Sequence, residues 1–139
     1  MKKFEFRLES VLRYRRDLEN TAKTAYMGAR RETLLCESEI AETDQRRLEI
    51  LQLKYANLPE RKLIETLVEG TDDRERELRA TLCVLQNEEA MALAAWQGAQ
   101  REVKALDQLR EKALTAWRHE DDLEEQRNLD EWTVTRRPA

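Results

Sequence analysis

Leu78, Leu85, Ala92, Ala99, Leu106 and Ala113 recur at intervals of seven, and this repeat constrains the fold more than any other feature of the chain. Leu82, Trp96, Val103 and Trp117 stand four residues after Leu78, Ala92, Ala99 and Ala113. A narrow apolar stripe with this spacing is the seam of a helix that buries one face against another helix. Little interrupts it. The 139 residues include only three glycines and two prolines, and Ala, Leu, Glu, Arg, Gln and Lys, all good helix formers, dominate throughout. Charged residues make up 39% of the chain and aromatic residues 6%, which leaves too little apolar surface for a thick, multilayered core.

A second stripe precedes the first. Leu8, Val11, Leu18, Ala22, Ala25, Ala29, Cys36, Ile40, Leu48, Leu51, Tyr55 and Leu58 follow helical spacing, and charged residues fill the other faces. The pattern predicts a first helix over about residues 3–57, roughly 75 Å long at 1.5 Å per residue. The break falls in NLPERKLIETLVEGTDDRE. Pro59 removes a helical hydrogen bond, while Leu63, Ile64, Leu67 and Val68 make a short apolar patch. Gly70 suits a helix C-terminus, and Asp72 followed by Glu75 reads as an N-cap with an acidic third position. These signals place a hinge at about 58–71, a second helix at about 72–132 and a frayed tail at 133–139.

Two stripes about one hinge predict a single all-α domain, an antiparallel coiled-coil hairpin that pairs residue i with roughly 129 − i. A parallel homodimer of long helices is the competing arrangement. Residues 2–16 carry six Lys/Arg against two Glu, and residues 119–131 carry seven Asp/Glu against one Arg. The hairpin sets these blocks side by side, whereas a parallel dimer would stack like on like. Charge favours the hairpin.

The same stretches exclude several functions. A net charge of −4 gives no basic footprint for nucleic acid. The start MKKFEFRLESVLRYRR is basic and amphipathic but holds Glu5 and Glu9, so it is a poor signal peptide. No run approaches the roughly 18 apolar residues of a transmembrane helix. Cys36 and Cys83 lack metal-ligand spacing and read as reduced, half-buried thiols of a cytosolic protein. By the expected pairing they stand too far apart to bond. His119 is the only histidine and reads as solvated surface. The acids Glu120, Asp121, Asp122, Glu124 and Glu125 lie on helix-forming sequence, which cannot wrap a cation as a loop can. With no catalytic set and no phosphate loop, the reading is a non-enzymatic protein without cofactor or metal.

The stretch WRHEDDLEEQRNLDEW, Trp117 to Trp132, poses a separate problem. It is strongly helix-prone, yet the heptad register there puts Glu120, Glu124 and Arg127 where leucines belong. Trp96 and Trp117 fall on the seam and read as core. Trp132 lies where the partner helix has run out, and Phe6 points away from the face of Phe4, Leu8 and Val11. Both read as interface anchors.

These two ends resemble the flagellar export protein FliJ family. FEFRLESVLRYRR, Phe4 to Arg16, is similar to that family's start. LREKALTAWRHEDDLEEQRNLDEWTVTRR, Leu109 to Arg137, is similar to its acidic tail, especially in Glu125-Gln126 and Leu129-Asp130-Glu131. One departure is that RERELRATLCVLQNEE, early in the second helix, lacks the aromatic residues many members carry there. The resemblance implies a cytoplasmic stalk peripherally associated with the inner face of the cell membrane. Its partners would be the hexameric flagellar export ATPase, a membrane export gate protein and export chaperones. It further implies that Phe6, Arg7, Arg13, Glu124, Glu125, Gln126, Asp130, Glu131 and Trp132 meet the ATPase, and that Leu63, Leu67, Leu78 and Leu82 meet the gate. The equivalent injectisome stalk, an unrelated homodimeric scaffold and a peripheral membrane protein anchored by its N-terminus are the alternatives.

Overall fold

The computed structural model describes residues 2–136. The fold is all-α, with two long helices packed against each other as a hairpin, α1 (Glu9–Leu51) and α2 (Leu58–Arg136). Contacts divide the chain into two units, and both helices contribute to each. A terminal unit comprises Met1–Asn20 and Gln97–Ala139, and a hinge unit comprises Thr21–Trp96.

In the hinge unit the turn is tighter and earlier than the sequence predicts. α1 ends in short-range bonds, Gln52 N–H to the Leu48 and Glu49 carbonyls (both 3.2 Å) and Leu53 N–H to Ile50 (3.1 Å). Six residues later α2 begins on a capping box. The Asn57 side-chain oxygen accepts from the Glu60 N–H at 3.0 Å, and the Glu60 carboxylate reaches back to the Ala56 N–H at 2.8 Å. Pro59 therefore sits in the first turn, where a missing N–H costs nothing. The expected hinge at 58–71 is helix, Gly70 has no positive φ, and Asp72 binds Arg47 (2.8 Å) instead of capping a helix. Asn57-x-x-Glu60 and Asp72-x-x-Glu75 carry the same starting signature, and the proline is compatible with the first.

Moving the turn changes the register. Arg30–Glu89 and Arg47–Asp72 in this unit pair residue i with about 119 − i, roughly ten residues from the expected rule. The core comprises Cys36, Ile40 and Leu78, with Leu82 and Leu85 packed against it. Three threonines join the interface. Thr33 is 1% exposed, and Thr43 and Thr71 are also buried. Each hydroxyl donates to a carbonyl of its own helix, of Ala29, Glu39 and Val68 respectively, so the apolar part of the side chain can pack like valine. Tyr26 stacks on Trp96 with ring centroids 5.5 Å apart. On the outer surface Arg79 binds Glu75 at 2.8 Å, which raises the guanidinium pKa above its ordinary value.

The cysteines differ from each other. Cys36 is buried and its thiol donates to the Leu78 carbonyl at 3.4 Å, whereas Cys83 is exposed. The corrected register brings position 83 level with Cys36, but Cys83 faces outward and both thiols are free.

In the terminal unit Leu12 is 0% exposed and Val103 is buried. Arg15–Glu102, Arg16–Asp107 (2.8 Å) and Glu9–Arg110 (3.1 Å) bridge the helices, again near 119 − i. Arg15 and Arg16 of the basic N-terminal block thus pair with Glu102 and Asp107, and among the described residues no ion pair joins that block to the acids of 119–131. The first helix starts at Glu9 rather than near residue 3. Ahead of it residues 2–6 are irregular and Arg7 and Leu8 form a turn that the Glu9 N–H closes on the Phe6 carbonyl at 3.1 Å.

Candidate functional site

Two parts of the molecule carry side chains that no partner helix covers: the end of α2 in the terminal unit, and the turn with its flanks in the hinge unit.

The uncovered end of α2 begins past Arg110, which pairs with Glu9, the first residue of α1. Past Arg110 the partner is the non-helical segment 2–8, whose Phe4 ring sits 5.9 Å from Trp117 and under the Arg110 guanidinium at 5.6 Å. Trp117 is thereby half-buried, at the seam position expected, but by the N-terminal segment instead of by α1. Lys2 lines one groove with Trp117, Glu120, Asp121 and Glu124. From Asp122 onward every described residue is exposed. The helix nevertheless continues to Arg136, past the expected end at 132, while Arg137, Pro138 and Ala139 lie outside the described residues. A helix that grows from a packed stem has no nucleation cost. Residues of high helix propensity can therefore extend it with nothing to bury.

The expected ATPase-contacting residues all fall in this unit. Glu124, Glu125, Gln126, Asp130, Glu131 and Trp132 are exposed on the end of α2. Among the described residues, none of those four acids takes part in an ion pair. Arg13 is exposed on α1, Arg7 is exposed in the turn before α1, and Phe6 beside it is half-buried. Trp132 is 55% exposed, and Arg136 lies over its ring at 4.5 Å. Leu129, three residues before Trp132, is also exposed and with Glu125 and Asn128 borders the same open face. Sequence reasoning missed Leu129 and Arg136 as neighbours of the tryptophan, although their spacings of three and four were legible.

At the turn the expected gate-contacting residues divide. Leu63 and Leu67 are exposed on the first turns of α2. Leu78 lies in the core, and Leu82 packs against it half-buried. The two inner leucines hold the hairpin together, as their places on the heptad seam require. In their place Leu53, Tyr55 and Leu58 are exposed around the turn, residues the sequence reading assigned to the helix stripe or left unassigned.

A family model described as flagellar FliJ protein matches residues 4–137. The chain belongs to the FliJ family. No curated relative and no solved structure matches it in the same comparisons. The family is a non-catalytic component of flagellar export, related in general to its stalk. The match runs through both helices and across the turn. Among the described residues of this FliJ-family chain, no helix is long and apolar enough to cross a membrane, and no cluster of metal-ligating side chains converges.

Proposed function

We propose that this FliJ-family protein is the stalk of a flagellar protein export apparatus, with the end of α2 facing the hexameric export ATPase and the turn facing the export gate in the membrane. The observation that carries this reading is the free end of α2: a helix from Arg118 to Arg136 whose carboxylates at Glu124, Glu125, Asp130 and Glu131 form no ion pair among the described residues and whose Trp132 is exposed. Glu124, Glu125, Gln126, Asp130, Glu131 and Trp132 would form its contact surface, with Phe6, Arg7 and Arg13 at its base. Charged contacts orient a partner and speed its encounter more than they hold it, which suits a part that moves between neighbouring subunits of a ring. At the turn Leu63 and Leu67 are the gate-facing leucines. Export chaperones would be escorted along the shaft of a protein stationed on the cytoplasmic side of the membrane.

The test is capture of the cognate export ATPase by the purified chain, and stimulation of its ATP hydrolysis. Binding that survives removal of residues 118–136 would refute the assignment of that end.

A further inference from the structure

Within the terminal unit the segment ahead of α1 is fastened to α2 through one side chain. Among the described residues, no hydrogen bond or ion pair involves residues 2–5, and the first backbone tie is the Glu9 N–H to the Phe6 carbonyl at 3.1 Å. Lys2, Lys3 and Glu5 are exposed. Phe4 is half-buried, with its ring tilted against Trp117 at 5.9 Å and under the Arg110 guanidinium at 5.6 Å. Arg110 is itself held by Glu9 at 3.1 Å. The segment is a strap buckled by one ring. A chain with no ladder of hydrogen bonds and one apolar anchor opens locally at far less cost than the hairpin unfolds.

The strap lies over the root of the free end of α2. Lys2 borders one groove with Trp117, Glu120, Asp121 and Glu124. Asp121 is half-buried, and every described residue beyond it is exposed, so cover ends at this groove. No ion pair joins Lys2 to the three acids, which leaves the contact loose. Glu124 nevertheless belongs to the contact surface assigned above. A basic partner reaching it across the groove meets Lys2 as a like charge, and finds the Trp117 ring already covered by Phe4.

We infer that residues 2–8 are an autoinhibitory strap: closed, they mask Trp117 and the acids Glu120, Asp121 and Glu124, and a partner engaging the root of the tail displaces them. The inference rests on the end of α2 being a contact surface and names what regulates it. A masked site binds with an affinity reduced by the fraction of molecules in which it is open. For a mask held chiefly by one aromatic pair, that reduction is about three- to tenfold. Such a strap screens out weak or partial contacts and still yields to a partner that covers Trp117 and the acids together.

The experiment uses the full chain and three readouts. With Trp96→Phe and Trp132→Phe in place, Trp117 alone emits, and acrylamide quenching reports its cover. Adding Phe4→Ala should shift that emission to the red and raise the quenching, whereas Phe4→Tyr, which keeps a ring, should leave both as they were. Helicity should not change, because Phe4 precedes α1. An octalysine peptide then probes the acids under the strap in the protein with all its tryptophans. Phe4→Ala, which alters no charge, should tighten its binding about three- to tenfold. The gain should vanish when Glu120→Gln and Asp121→Asn are added. Binding of the purified export ATPase should tighten with Phe4→Ala by the same factor. Trp117 equally shielded with and without the Phe4 ring overturns the inference. So does a Phe4→Ala protein that binds octalysine no better than wild type. Weaker ATPase binding by Phe4→Ala also overturns it, because the segment would then be part of the contact instead of its cover. If neither protein captures the ATPase while the fluorescence and octalysine results hold, the stalk reading fails and the strap over an acidic root stands.

Discussion

α2 has two uncovered ends, and they are uncovered in different ways. Its first turns are fixed by local chemistry, the Asn57–Glu60 box around Pro59, and the surface they leave exposed is apolar. Its last five turns have no box and no partner, and the surface they expose is charged, with Leu123, Leu129, Trp132 and Val134 interspersed. The difference shows what each end needs in order to remain helical. A turn must be specified residue by residue, because it has to stop one helix and start another within a few positions. A free helix end only has to be continued, and propensity suffices for that. The tail can therefore be rewritten in charge with little loss of structure, and the turn cannot.

The sharpest way to break this contrast is to weaken the stem from which the tail grows. Leu12 is fully buried in the terminal unit, and Leu12→Ala should cost about 2–5 kcal/mol. A fall in thermal midpoint is expected, together with loss of helical signal from the tail as its template loosens. A tail that kept its helicity after the stem melted would show that it folds autonomously, and the growth argument would fail. Next in size is the turn. Asn57→Ala removes the cap that Glu60 answers and should cost about 1 kcal/mol, measurable as a lower urea midpoint at unchanged slope. No change there would mean that packing, not the cap, places the turn.

A smaller effect is expected in the core. Thr33→Val keeps the shape of a 1%-exposed side chain and removes a hydroxyl that already bonds to its own helix. The change should fall within about 1 kcal/mol of neutral, because neither partner of that bond is left with a buried group it cannot satisfy elsewhere in the helix ladder. A large loss of stability would mean that the threonine hydroxyl has a role in the interface beyond filling space.

Much of this was legible in the sequence, and the exceptions have physical causes. The seam of α2 was read correctly because leucine and alanine occupy it at a strict interval, and the exposure of Trp132 followed from where the seam fails. The register was not. Two equivalent cap signatures lie fifteen residues apart, at Asn57 and Asp72, and apolar periodicity alone does not say which one starts the helix. The choice moved every cross-helix pair by about ten residues and paired Arg15 and Arg16 with Glu102 and Asp107. Leu12 and the buried threonines were missed for another reason. A stripe read from apolar letters skips threonine, although a threonine bonded within its helix packs like valine. The free tail's neighbours Leu129 and Arg136 needed no new chemistry, only attention to spacing around Trp132.

The smallest expected change in stability belongs to the tail, and it is the most informative about function. Reversing Glu124, Glu125, Asp130 and Glu131 to lysine should leave the fold within about 0.5 kcal/mol, since these are exposed side chains without ion pairs and lysine matches glutamate in helix propensity. Opposition to the basic N-terminus would have predicted a larger loss. The observed pairing of Arg15 and Arg16 with Glu102 and Asp107 reduces that cost to the neighbourhood of Lys2, which shares a groove with Glu124. Stimulation of the export ATPase should nevertheless be abolished by the four reversals and reduced by Trp132→Ala. Reversal of Glu65 and Glu69, in the hinge unit, should leave it intact. Wild-type binding should weaken as salt rises to physiological levels, because exposed charges are screened over about 10 Å at 0.1 M. A fourfold-reversed protein that is as stable as wild type and stimulates normally would leave the tail a solvated helix end, and the ATPase contact would have to be sought at Phe6, Arg7 and Arg13.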